Sequence, residues 1–558
     1  MAVDPNIKKK ADDIRNKIYG KEVRESLASG LEEMSSDVVE NEGRQSVVEG
    51  RQDSVESQWQ VVSDEMTDKD VISAPEIIAA RNGEANLKAR LDKEHDEVTA
   101  QLAQTVELLN RELSLGGSLK YGKIELPSDF NHNINFDLWR DIDGSIRHNH
   151  DIENELVAEE IYYVSENGRS QNDGLSPENP VNAMSVAVDL IQANDSITTG
   201  KIIILGGYLS RALGALVRPI TKNIIIEPEK DVETIVGTYE RNLTWQLHSG
   251  NIYKSAITSS NFAVYDRKFR EDFNLPTKYK KVNSISECGA VPGSFYSDGT
   301  SIYVHRIDGS SIDNNELHVC INAGFYTIDI VEDVKLIVKD LTILNARVNE
   351  PFDIKGLDGV KGNFICKNVN LYSSFNGSNG FKFNNLKSVW MFNCLAKDID
   401  SDAFNYHATE NDLSKPSFVF EYNCVAINAG VENLASGTSN ATTAHDEMHI
   451  LRVGSIGQNT RGPVLADVNG CYSINYDCTM NNSLLTGTGY TNSAFCFNDS
   501  PWSKNPNPTG KAVLVNCSGG DSETYGINCD ESFKEEGKIT IDNFKGKNIP
   551  NDIQFSVV

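Results

Sequence analysis

The chain has 558 residues, with 52 Lys and Arg against 80 Asp and Glu, a formal net charge of −28. So acidic a surface argues against nucleic acid or an anionic membrane as the main partner, although salt screens exposed charges beyond about 8 Å and a local groove can differ from the average. No run of about 18 apolar residues is present to span a membrane. Met1–Lys10 is mostly polar with no apolar stretch behind it, so no secretory signal is read and the chain is expected to be made in a cytoplasm.

Residues 1–117 contain no Cys and are rich in Glu, Asp, Lys, Ala and Leu, a composition that favours helix. Leu87, Leu91, Val98, Leu102, Val106, Leu109 and Leu113 fall at spacings of four, three and seven, which makes a coiled-coil candidate. The alternative is one amphipathic helix packed on its own domain. Gly116 and Gly117 end it. Residues 118–159 read as a polar neck or linker, with Pro127, the turn pair Asp143 and Gly144, and His148 and His150. Without a third ligand, these two imidazoles are read as solvated rather than metal-bound.

From residue 160 the character changes to strand. A β run at Ile161 leads to a turn-rich loop over Asn167 to Pro180, then to a helix over about Ala183 to Ala193 that would cap the open end of a stack. KIIILGG (201–207) and NIIIEP (223–228) read as buried strands. Residues 251–313 read as an insertion, with a hairpin in SFYSDGTSIYVH turned by Asp298 and Gly299.

Beyond Leu336 the chain repeats itself. The units LIVKDLTI, NFICKNVNL, SVWMFNCLA and FVFEYNCVA, with weaker copies INYDCTM and VLVNCSG, recur at a period typical of solenoids, each carrying Asn or Asp before an apolar residue or Cys. A strand-sized run cannot bury its apolar face alone, so copies at one period imply stacked coils. β-branched and aromatic residues dominate and no helical stripe appears. The fold class is therefore mainly β, a right-handed parallel β-helix over 160–558. All ten Cys lie at or after Cys288, and Cys394, Cys424, Cys478 and Cys517 each follow Asn or Asp. Equivalent places in the repeat suit reduced thiols packed as small hydrophobes.

The stretch Tyr162 to Ile191, with SENGRSQNDGLSPENP, resembles the lead-in to pectin-lyase-like β-helices of phage tail spikes. The segments Asp13 to Glu32 and Asp70 to Asp92 resemble virion-anchoring regions of tail or baseplate appendages in phages of Gram-positive bacteria. The chain as a whole resembles a pre-neck appendage or tail-spike protein. That resemblance implies a homotrimer in the virion, joined through its N-terminal region to other tail or baseplate proteins, acting on a host cell-wall glycopolymer such as teichoic acid or exopolysaccharide. No catalytic motif of the family maps onto particular residues.

The residues themselves nominate a site. Asp398, Asp400 and Asp402 alternate, so an extended segment would turn them to one face, with His407 just beyond. Later coils bring His445, Asp446, Glu447 and His449, then Arg452, Arg461 and Asp467. Asp400, Asp402, His407, His445, Asp446 and Glu447 are the catalytic candidates. Arg452, Arg461, Asp467 and Trp390 are candidates for holding substrate. Two carboxylates could cleave a glycosidic bond as acid and base or nucleophile. A His base with Arg or a metal could cleave a phosphodiester instead. No cofactor is assigned from these residues, and Ca²⁺ is a candidate ligand of the acidic cluster. The leading expectation is a depolymerase that hydrolyses a surface glycopolymer; the alternatives are a non-catalytic receptor-binding spike and an inert structural component.

Overall fold

The computed structural model describes residues 122–557 apart from 142, 210–218, 241, 258–261, 323–326, 345–349, 374–376, 432–437, 485–491, 521–524, 547–548 and 550–554. The helical anchoring region and coiled coil expected over 1–117 lie outside the described residues. The chain divides into two compact units, one including Asp137–His148 and the other comprising Leu126–Phe136 and Asn149–Val558. In the first, Leu138–Arg140 pairs antiparallel with Gly122–Lys123 and with Ile146–His148, and Gly144 (φ 78°) turns the chain where Asp143 and Gly144 were expected to.

The second unit is a parallel β-helix of three sheets, with twelve, ten and eight strands among the described residues. One coil runs Ser388–Phe392 in the first sheet, Leu395–Ile399 in the second and Phe404–His407 in the third, and the next begins at Phe418–Tyr422. Pairing is in strict register: Val389 lies beside Phe364 and Val419, and Ile450 beside Val419. Inward positions stack like on like, as in Phe381 over Phe404, whose rings have centroids 5.2 Å apart and nearly parallel planes. The helix Met184–Ala193 sinks Met184, Ala187, Val188 and Ile191 into the same core.

The Asn or Asp of each repeat has a backbone reason. Asp340, Asn368, Asn393, Asn423, Asp477, Asn516 and Asn543 all hold φ between 51° and 57° at the corner between the first and second sheets, a region that Asn and Asp tolerate better than other side chains. Their amides also bond from coil to coil: Asn368 donates to Asp340, Asn393 to Asn368, Asn516 to Asp477 and Asn543 to Asn516. Gly454 takes the place in one coil, and a Cβ there would stand 2.4 Å from Asn423 Oδ1. The next residue turns inward, which puts Cys394, Cys424, Cys478 and Cys517 in the core; all ten Cys are free thiols.

The first sheet is apolar on both faces. Ile337, Ile365, Phe420 and Leu451 point outward yet are buried, because residues 126–136 and the segment around His150 lie across that face. Phe130 packs edge-on against Phe418 and stacks on His449, and the Asn131 N–H donates to His449 Nδ1 at 2.7 Å. His150, expected to be solvated, instead stacks on Phe392 at 5.2 Å. Trp390 is only 5% exposed, packed by Phe136 and His150, and its Nε1–H donates to Asn133. Trp390 therefore holds this cover and is removed from the substrate-binding candidates.

Between two strands of the stack the chain leaves the solenoid. Mostly antiparallel strands from Thr238–Tyr239 to Leu317–Asn322 form two small sheets around a core of Phe262, Val264, Tyr279, Phe295 and Val304. Ser294–Ser297 and Ser301–His305 pair antiparallel as the expected hairpin, with Gly299 at φ 89° in its turn. Arg306 and Asp266 are buried together there, joined by bonds of 2.8 and 3.1 Å.

Candidate functional site

Alternation along each strand sorts the acidic and imidazole residues into two groups. In the first sheet the inward column runs Met391, Glu421, Arg452, Asn475 and Leu514. In the third, Tyr406, Ala444, Asp467 and Phe497 face inward. Arg452 and Asp467 thus meet inside the solenoid, at 2.7 and 2.8 Å through two nitrogens, at 0% and 1% exposure. Glu421 accepts from the Thr442 hydroxyl at 2.6 Å and from the Ser455 hydroxyl at 3.0 Å. Small residues at Thr442 and Ala444, where earlier coils carry Phe404 and Tyr406, leave room for the guanidinium. Arg452 and Asp467 are a sealed ion pair and cannot hold a polymer, contrary to expectation.

Three more candidates are fixed in structural work or displaced. Strand geometry ends at Ile399, and Asp398 takes φ 56° and accepts from Asn428, so Asp398, Asp400 and Asp402 do not share a strand face. Asp400 is 5% exposed and accepts the Gly377 N–H at 2.5 Å, pinning a neighbouring loop. Glu447 accepts from Trp502 Nε1 at 3.0 Å and from Asn505 Nδ2 at 3.1 Å, and so anchors the loop that follows the third sheet two coils on. Arg461 is half-buried in the loop from the second to the third sheet, beside Gly430 and Ser439.

The remaining four do come together, on the outer face of the third sheet. His407 ends the strand Phe404–His407 and His445 follows Thr442–Ala444 in the next coil, so the two rings stack with centroids 3.9 Å apart and 16° between planes. His407 Nδ1 lies 3.5 Å from Asp446 Oδ2. Asp446 is held at φ 65°, its Oδ2 accepts the Ala408 N–H at 3.1 Å, and its carbonyl accepts from Asn411 at 2.7 Å. The Thr443 hydroxyl donates to the Ala466 carbonyl at 2.6 Å, so its 3.2 Å contact to His445 Nε2 makes that nitrogen the donor. Burial, and then the charge of His407, push His445 down to about 4, so that its ring is neutral near pH 7.

Asp402 completes the group. Its oxygens accept the Asn440 N–H at 2.8 Å and Asn405 Nδ2 at 2.7 Å. Burial pushes its carboxyl up from the ordinary range despite those bonds, and His407 acts on it in the opposite sense. Asn405 Oδ1 is buried with no partner. A buried acceptor left without a partner needs a donor from water or a ligand hydroxyl. Asn405, Asn440, Asn411 and Thr443 were missed in the sequence because neutral turn and strand residues carry no catalytic signal of their own. The place of Asn405 two residues before His407, on the same outward parity, was the available clue. Among the described residues, no cluster of three or more His, Cys, Asp or Glu is arranged to hold a metal ion, and no helix is long and apolar enough to cross a membrane.

Fold and site together define a parallel β-helix protein with an Asp and His cluster on one outer sheet face. No protein-family model and no curated protein matches the sequence. Among solved structures, the chain is similar to one titled "Glycoside hydrolase", at 9% identity and TM-score 0.40 over 71% of this chain and 99% of that one. It is also similar to pectate lyase Pel9A, at 11% identity and TM-score 0.27 over 66% and 80%. A third is a GH136 lacto-N-biosidase from Eubacterium ramulus, at 9% identity and TM-score 0.26 over 73% and 69%. Likeness at that level assigns neither reaction nor substrate, and the fold assignment rests on the strand register.

Proposed function

We propose that the protein is a phage tail-spike depolymerase that hydrolyses a host cell-surface glycopolymer, wall teichoic acid or exopolysaccharide, at the outer face of its third sheet. The observation that carries this reading is the convergence of Asp402, His407, His445 and Asp446 from consecutive coils onto one face. Asp402, whose carboxyl is pushed up, gives its proton to the leaving oxygen as the bond to it breaks. His407, backed by Asp446, takes the proton of the attacking water. Neutral His445 stacks on His407 and fixes its plane. Asn405 Oδ1 accepts a substrate hydroxyl. The roles are the same whether the atom attacked is an anomeric carbon or phosphorus.

In this reading the chain acts as a homotrimer in the virion, since a long solenoid offers a broad lateral face, and 1–117 joins it to other tail or baseplate proteins. Light scattering of the intact protein tests the assembly, and a mass near the 61.6 kDa of one chain would sink it. Incubation with purified wall teichoic acid and with exopolysaccharide tests the chemistry. New phosphomonoesters or new reducing ends are expected and tell the two bonds apart. Binding without new ends would leave a receptor-binding spike, a reading favoured by the backbone bonds that tie down Asp400 and Asp446.

A further inference from the structure

On the outer face of the second sheet, the insertion and the coils enclose a cleft of about 490 Å³. Lys278, Lys280 and Lys281 line it from the insertion, and Tyr372, Lys397 and Asp398 from the solenoid. Four lysines thus meet two carboxylates, Glu271 and Asp398, in a chain whose net charge is −28. Both carboxylates are matched: Lys397 pairs with Glu271, and Lys278 Nζ lies 3.6 Å from Asp398. The same two ammonium groups sit 5.2 and 5.9 Å from the centroid of the buried Tyr372 ring. The cleft's positive excess comes from Lys280 and Lys281. They form an exposed two-residue strand held in parallel against Ser294 and Phe295, and no ion pair engages either lysine among the described residues.

We infer that this cleft binds an anionic segment of a carbohydrate or polyol chain, with phosphate or carboxylate groups on Lys280 and Lys281 and hydroxyls on the oxygens of Glu271 and Asp398. Ammonium groups alone would suit any anion. The added carboxylates retain lone pairs for hydroxyl donors and disfavour a densely charged backbone such as that of duplex DNA. The volume admits a few monomer units rather than a bare ion. Asp398 in the cleft and Asp402 in the third-sheet cluster are four residues apart in the chain, so their Cα atoms are at most about 14 Å apart. A polymer seated in the cleft can therefore reach the cluster around one corner of the solenoid. Binding in the cleft does not require turnover; only the identification of the bound polymer as a substrate rests on the function proposed above.

The test uses the full chain and its K280E/K281E variant, titrated at low ionic strength with poly(glycerol phosphate), polygalacturonate, neutral dextran and duplex DNA. The parent is expected to bind one or both anionic polymers and neither dextran nor DNA, and K280E/K281E to bind about tenfold or more weakly, with the difference shrinking as salt is added. Binding of poly(glycerol phosphate) alone selects phosphate, and of polygalacturonate alone selects carboxylate. If K280E/K281E lowers the melting temperature, K281Q carries the same comparison. Equal binding by parent and variant, binding of neither anionic polymer, or dextran or DNA binding as well as the anionic polymers would overturn the cleft assignment. Cleft binding by a parent protein that releases no new ends would uphold the cleft and sink the depolymerase.

Discussion

Two clusters of acidic and basic side chains lie on adjacent coils, and a one-residue change of parity separates them. Asp467 points into the solenoid and meets Arg452 where water does not reach, whereas His445, one residue past the inward Ala444 that pairs with Asp467, points out and stacks on His407. Both are acidic and basic groups brought together by the same stacking. The inner one is satisfied by Glu421, Thr442, Ser455 and Asn475 and has nothing left to offer a ligand. The outer one keeps an orphan acceptor, a carboxyl pushed up by burial and a neutral imidazole. Composition alone therefore does not tell a structural cluster from a reactive one; the side of the sheet does.

The comparison is broken most strongly from inside. Arg452→Ala should lose about 3 to 5 kcal/mol of stability, because Asp467 and Glu421 are left buried without their cation. Denaturant unfolding checks it, and a midpoint unchanged from the parent would mean the interior is wetter than described. Outside, Asp402→Asn and His407→Ala should each lower turnover by roughly 10² while leaving the melting curve in place, as expected of an acid or base. Variants that lose stability together with activity would move these residues into the structural class.

A smaller effect is expected in the Cys column. Cys394→Ser or Cys424→Ser should cost about 1 to 3 kcal/mol by burying a hydroxyl among apolar neighbours, and reducing agent should leave the parent's melting temperature where it is. A bridged pair in non-reducing peptide mapping would contradict the free thiols.

The mildest effect is on pH. Burial pushes His449 down to about 4, and its Nδ1 accepts from Asn131 only while unprotonated. The unfolded chain takes up that proton near the ordinary 6.5, so this share of stability is whole above that pH and is lost as the pH falls towards about 4. His445 acts in the same sense. His449→Gln should flatten the slope of stability between those values, and an unchanged slope would mean that other groups set it.

The solenoid was legible from residue 336 onward because each coil repeats a local requirement. A left-handed corner wants Asn or Asp, and the next inward position wants something small and apolar. The terminal helix and the hairpin at Asp298 and Gly299 were legible for the same reason, since periodicity and turn chemistry act over a few residues. Site residues were named in the sequence by type and proximity, and four of them, Asp402, His407, His445 and Asp446, do assemble. Arg452, Asp467 and Trp390 were misplaced because no local rule says which parity faces the core when both sheet faces carry apolar residues, as Trp390 and Met391 do side by side. The sequence by itself determined the repeat, its corners and its thiol packing, all of which depend on neighbouring backbone. Only the tertiary structure decided that residues 126–136 seal one sheet face, that Arg452 turns inward where Thr442 and Ala444 make room, and that the insertion closes a lysine-lined cleft on the second sheet. Each of those depends on contacts between segments far apart in the chain, where volume and desolvation rather than local propensity set the outcome.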